Sequence, residues 1–199
     1  ITAGQAFGGD LEAVSLPAAL LAARQAIQAD LIVVAMGPGI VGTGTKYGFS
    51  GIEQSWILDV TARLQGIPVA VPRISGADRR PRHQGLSHHS RTILEMAYST
   101  ALLPFSGLIP ETLKEQILAE IRGSAGLNRH QWYQTDEPPV ETLFAKQAIR
   151  VKSMGRTAAE DPAFFQTTVA AGYLAAKVAT GELSALRPLK TDINPNTPA

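Results

Sequence analysis

The chain has 199 residues, 45% of them hydrophobic and 18% charged, with a net charge of +1 at pH 7 and no cysteine. These values fit one folded soluble domain with enough chain for a sizeable core, and exclude a disordered polymer. They also remove any global electrostatic reason for a nucleic-acid or membrane partner, and exclude disulfides, thiolate zinc sites and a cysteine nucleophile, which suits a reducing cytoplasm.

No apolar run approaches the roughly 20 residues that span a bilayer. The chain starts at Ile1 with neither Met nor a signal pattern, and so reads as the C-terminal part of a longer polypeptide. Ile1–Ala6 suits the end of a strand, and Gly8–Glu12 a polar turn. Ser15 and Pro17 open a helix whose apolar side, Leu16, Leu20 and Ile27, runs to Gln28. The unbroken apolar run Leu31–Met36 predicts a strand buried on both faces. A loop follows, with glycines at 37, 39, 42, 44, 48 and 51. Ile52, Trp56, Val60 and Leu64 recur at helical spacing, and Ser50 with Glu53 reads as a capping box.

Gly66 ends that helix and Ile67–Pro72 predicts a second strand. The polar segment Arg73–Ser90 leads into a helix from about Ser87 to Met96, and Tyr98–Phe105 is apolar. Pro110 begins a helix that faces Leu113, Ile117 and Ile121 inward and stops at Gly123. Arg129–Gln134 alternates like a strand, Val140–Gln147 is helical and Ile149–Met154 is strand-like. Asp161-Pro162 is an N-cap and N1 pair for a last helix that Gly181 ends. Residues 186–199, with three prolines, read as a loose tail.

Strands alternating with helices predict a single α/β domain over residues 1–185: three-layer, Rossmann-like, a mostly parallel sheet with helices on both faces. Connections into the predicted strands are short, at Asp30 and Gly66. The loops leaving the strands, 37–51, 73–87 and 155–161, are long and polar, and that edge of an open α/β sheet carries the ligand crevice.

Gly37-Pro38-Gly39-Ile40-Val41-Gly42 has the GxGxxG spacing, but the helix begins ten residues too late for a dinucleotide fold, which argues against NAD. Thr45-Lys46-Tyr47 does not complete a P-loop. Gly39, Gly42, Thr43, Gly44, Thr45 and Lys46, with the loop N–H groups, suit a phosphate or carboxylate; the same glycines also suit plain turns. Between Arg73 and Arg91 lie five arginines, three histidines, Asp78 and Ser87. The forks of Arg79, Arg80 and Arg82, joined by Arg156, suit phosphate oxygens, while a solvated basic loop is the plainer reading.

His83 and His88, with Asp78, are candidate catalytic groups. Asp10, Asp78, His83, His88 and His89 supply oxygen and nitrogen donors for a divalent metal. Neighbouring histidines on a regular helix diverge by about 100°, an objection that a helix start relaxes. Asp10 equally suits turn formation, and His130 suits a core or strand-surface position.

Three motifs together resemble a known family: Gly8-Gly9-Asp10-Leu11-Glu12-Ala13-Val14, the segment Gly37–Thr45, and Ala77-Asp78-Arg79-Arg80-Pro81-Arg82-His83 with Gly85-Leu86-Ser87-His88-His89. Gly155-Arg156 and Asp161-Pro162-Ala163-Phe164-Phe165 fit its C-terminal part. This is the uncharacterised bacterial family catalogued as domain of unknown function 3866. The resemblance covers nearly the whole chain, implies a longer N-terminus, and carries no assigned activity or catalytic residue.

The residues themselves support an enzyme acting on a phosphorylated or anionic small molecule, by hydrolysis or group transfer, at the C-terminal edge of the sheet. The alternative is a non-catalytic anion- or nucleotide-binding regulatory module. Nucleic-acid binding ranks last, for want of an aromatic stacking surface, and homo-oligomerisation stays open. In either of the first two readings the Gly37–Gly51 and Arg73–Ser90 loops must meet across one crevice.

Overall fold

A computed structural model describes residues 1–37 and 39–189. Pro38 and residues 190–199, most of the expected tail, lie outside the described residues. The fold is mixed α/β, with three small sheets in place of the single broad sheet expected.

β1 (Thr2–Ala3) pairs in parallel with β2 (Glu12–Ala13), so the Gly8–Glu12 turn folds back on the first residues. α1 (Leu16–Leu21) starts with Pro17 in its first turn and continues as a π-helical turn over Ala22–Ala26. A 3-10 turn, Ser50–Glu53, enters α2 (Gln54–Arg63). The capping box does not form there. Ser50 donates its N–H to Val41 O and accepts the Val41 N–H on Oγ, so it is spent on the glycine loop.

β3 (Ile74–Ser75) and β4 (Gly85–Leu86) form an antiparallel pair that closes the Arg73–Ser90 segment at its base. α3 (His88–Met96) follows, with Ser87 as N-cap accepting the His89 N–H. β5 (Leu102–Ser106), wholly buried, pairs in parallel with β6 (Gln131–Thr135). Between them run α4 (Glu111–Arg122) and α5 (Ala125–Asn128). α6 (Val140–Lys146) precedes α7 (Pro162–Ala179), which packs against β5. β7 (Arg187–Pro188) adds antiparallel to β6, and Leu186 is buried, so residues 186–189 are tied to the sheet. Ile149–Met154 forms no strand and contributes one bridge, Ser153 to Arg156.

The core lies where α3, α4 and β5 meet: Leu94, Leu103, Ile117, Ile121 and Leu127 are nearly or wholly inaccessible. Burial on this scale is the main favourable term holding the fold. His130 belongs to this core. Its Nδ1 accepts the Ala101 N–H at 3.1 Å and its Nε2 donates to Leu94 O at 2.8 Å, an arrangement that holds it neutral and outside the site.

The two strands expected to frame the crevice behave differently. Val69 bridges Leu102 in parallel, with Ala70 N–H donating to Leu102 O, so Ile67–Pro72 does extend the β5–β6 sheet by a bridge. Leu31–Met36 enters no ladder among the described residues, and Val33 is 92% exposed. It runs along one side of an apolar cleft of about 1130 Å³ whose other walls include Leu20, Ile57 and Val69. The apolar run records a preference for burial, but among the described residues it makes no backbone hydrogen bond to Ile67–Pro72, which lines the same cleft.

Candidate functional site

Arg73–Ser90 is built around one buried carboxylate. Asp78, 3% exposed, receives a bidentate fork from Arg80: Nε to Oδ1 and Nη2 to Oδ2, each 3.0 Å. Arg73 Nη2 donates to Oδ2 at 2.8 Å and Arg156 Nη2 reaches it at 3.5 Å. Hydrogen bonds from Arg80, then from Arg73, hold the Asp78 carboxyl well below the usual carboxylate range. A second buried carboxylate extends the network. Asp161 accepts from Arg156 Nε at 3.1 Å and from Ser75 Oγ at 2.6 Å, while Ser75 Oγ accepts the Asp78 N–H at 3.1 Å. Asp161 is the residue before Pro162, as expected, yet its side chain makes no cap hydrogen bond: Oδ2 takes both of these bonds, and among the described residues Oδ1 has no partner.

The network fixes the loop that carries the histidines. Gln84 donates to Asp78 O at 3.0 Å, and Pro81–His83 makes a 3-10 turn whose His83 N–H reaches Arg80 O. This turn puts His83, 3% exposed, over the first turn of α3. Its ring lies 4.8 Å from that of His88 and 5.1 Å from that of His89, centroid to centroid. His88 and His89 are themselves 4.1 Å apart, because they occupy the first two helical positions rather than a helix interior. His83 Nδ1 is 2.8 Å from Ser87 Oγ, and Phe49 stacks on His89 at 4.3 Å and 14°. Burial first, then the guanidinium of Arg80, pushes His83 down to about 4. Burial first, then His88, does the same to His89, and burial with Arg82 lowers His88. At neutral pH the cluster therefore presents neutral imidazoles.

The glycine loop folds over these rings as a narrow hairpin. Thr43 N–H donates to Gly48 O at 2.7 Å and Gly42 bridges Phe49. Gly44 has φ +81°, a left-handed turn that favours glycine. At Gly48 a Cβ would lie 2.1 Å from Thr43 Oγ1 and 2.4 Å from Thr45 Oγ1, so only glycine lets the two hydroxyls sit 3.1 Å apart. Among the described residues, the Gly44 and Thr45 N–H groups have no protein acceptor. Lys46 Nζ is 3.2 Å from Glu95 Oε2, which ties the hairpin to α3.

The two loops meet across a cleft of about 220 Å³. Of the residues singled out by sequence, Gly42, Gly44, Thr45, Arg80 and Arg82 line it, together with His83, His88 and His89. Gly39, Thr43, Lys46, Arg79, Arg156 and Asp78 do not. Arg79 is exposed outside the cleft, Lys46 turns to Glu95, and Arg156 and Asp78 belong to the buried network beneath. The carboxylate of Asp78 is spent on arginines and Asp10 stands at the exposed β1–β2 turn, so neither joins the histidines. Sequence reading missed Phe49, hidden in its loop, and the partnership of Asp161 with Ser75, which are 86 residues apart.

A family model described as a protein of unknown function, DUF3866, matches residues 1–172. The chain belongs to the DUF3866 family. The match takes in both DUF3866 loops that line the cleft and the Arg156–Asp161 pair beneath it. No curated protein and no solved structure matches the chain. Among the described residues, no helix is long and apolar enough to cross a membrane.

Proposed function

We propose that this protein is an enzyme acting on a phosphorylated or otherwise anionic small molecule, by hydrolysis or group transfer, in the cleft between the two loops. One observation carries the reading: Gly44 and Thr45, whose amides have no protein acceptor among the described residues, line one small cleft with Arg82 and three histidines. Anion donors and proton-accepting groups within reach of one ligand are what acid–base chemistry on a phosphoryl or acyl centre requires.

The roles divide by charge. Arg80 is neutralised by Asp78 and held rigidly by it, whereas Arg82 has no carboxylate partner among the described residues. Arg82 is thus the cation with most to gain from an anion. The Gly44 and Thr45 amides hold the other side of the ligand. Histidines kept neutral offer lone pairs rather than protons, so they withdraw a proton from an attacking water, directly or through an ion that they hold. A cleft of about 220 Å³ takes a phosphoryl or carboxylate head group and leaves the rest of a small molecule outside.

The test is calorimetric titration with inorganic phosphate and a panel of phosphate monoesters, with product release followed in parallel. Arg82→Ala should weaken binding about 10- to 100-fold, the worth of one charge-assisted hydrogen bond, with the melting temperature unchanged. Equal affinity in the variant overturns the placement of the anion. Binding without product release from any ester overturns the enzyme and favours a sensor of the same anions.

A further inference from the structure

We infer that His83, His88 and His89 form a three-nitrogen site for a divalent metal ion of the zinc class. The inference shares its cleft with the proposed function but stands on the histidines alone.

One ligating nitrogen from each ring lies within 4.8 Å of the others. Four-coordinate zinc with bonds of about 2.0–2.1 Å holds its nitrogens roughly 3.4 Å apart, so side-chain rotations of an ångström or so close the site. His88 and His89 are only half-buried and have room to make them. The second observation is an unpaid polar atom. His88 Nε2 is inaccessible to solvent and has no hydrogen-bond partner. A buried nitrogen left bare costs on the order of 1–3 kcal/mol, and an ion among the three rings removes that cost.

The surroundings match what holds an imidazole ready for a metal. Ser87 Oγ, already accepting the His89 N–H, sits 2.8 Å from His83 Nδ1. A donated Nδ1–H there leaves Nε2 as the free lone pair, the outer-shell arrangement of metal-ligating histidines. Phe49 fixes the plane of His89 by stacking. With three nitrogens and no thiolate, the donor set favours zinc or its neighbours over calcium or magnesium.

Three protein ligands would leave a fourth position for water or an anion, and Gly44, Thr45 and Arg82 line the same cleft as the three histidines. The nearby arginines disfavour a bare cation. Arg73 and Arg80, however, are already paired with Asp78, which leaves Arg82 to share an anion with the metal. A metal-bound water there would lose its proton near neutral pH and supply the nucleophile that the proposed function needs.

The experiment uses untagged protein, stripped with chelator and re-equilibrated with Zn²⁺ or Co²⁺. Zinc per chain is read by elemental analysis after gel filtration, and the cobalt form by its visible spectrum. One ion per chain is expected, with the intense absorption of four- or five-coordinate Co²⁺. His88→Ala and His89→Ala should each weaken retention at least tenfold while circular dichroism shows both variants folded. These half-buried positions are chosen because His83, at the base of the loop, is the histidine whose loss threatens folding. No retained zinc in the unmodified protein overturns the inference, as does equal retention in a His88→Ala/His89→Ala double variant. Phosphate titration of the stripped and loaded forms separates the two proposals. Metal without phosphate affinity sinks the anion reading alone, and phosphate affinity without metal sinks the metal site alone.

Discussion

Leu31–Gly51 and Arg73–Ser90 make an instructive pair. The first holds the apolar run Leu31–Met36 and six glycines, the second four arginines and three histidines. By composition the first should be the framework and the second its solvated decoration. The structure reverses this. Among the described residues Leu31–Met36 lies along an open cleft with no backbone partner, while the buried Asp78 anchors three arginines and Gln84. Hydrophobicity is non-directional and says only that a segment gains by leaving water. A buried carboxylate must find its donors, and that requirement fixes geometry.

The largest effect should come from Asp78→Ala. It removes the acceptor of three guanidiniums, and breaking a buried ion pair costs about 3–5 kcal/mol. The lower end, about 3 kcal/mol, is expected in urea unfolding because the arginines are partly exposed and rehydrate. A loss below 1 kcal/mol would make the network ornamental. Its pH dependence has a fixed sign. A carboxyl held below its ordinary value stabilises fully above about pH 4 and loses that contribution as pH falls toward the folded value. Asp78→Asn should therefore flatten the acid limb of the stability profile and leave its shape above pH 5 unchanged.

Gly48→Ala should cost about 1 kcal/mol by overpacking against Thr43 and Thr45. It should also weaken phosphate binding, since Thr45 lines the cleft. Unchanged phosphate affinity would detach the hairpin from the site. Val33→Ser should change stability by no more than about 0.5 kcal/mol, as for other exposed positions. The smallest signal is kinetic: amide exchange should be fast at Ile32–Met36 and protected at Ala70 and Leu102, which bond across the sheet. Equal protection would mean that the first run has found a ladder after all.

These contrasts show what the sequence could and could not disclose. Elements set by local signals were legible: Pro110 and Gly123 bracket α4, Asp161-Pro162 and Gly181 bracket α7, and Ser87 caps α3. The glycine and histidine loops could be named as partners because both follow runs read as strands. Leu31–Met36 failed as a strand because pairing depends on a neighbour that an apolar run does not specify. Lys46 and Asp78 were misplaced because a charged side chain takes the nearest opposite charge: Glu95 met Lys46 only through the fold, whereas Arg80, two residues from Asp78, was at hand in the sequence. Phe49 carried no signal at all, since its importance is its stacking on His89.

The meeting of the two loops over a bound anion is tested most directly by a crystal structure grown with inorganic phosphate or a phosphonate analogue. The expected result is an anion in the cleft, within hydrogen-bond distance of the Gly44 or Thr45 amide on one side and the Arg82 guanidinium on the other. A cleft that stays empty at saturating phosphate, or an anion held by Arg79 or Lys46 on the outer surface, would contradict it.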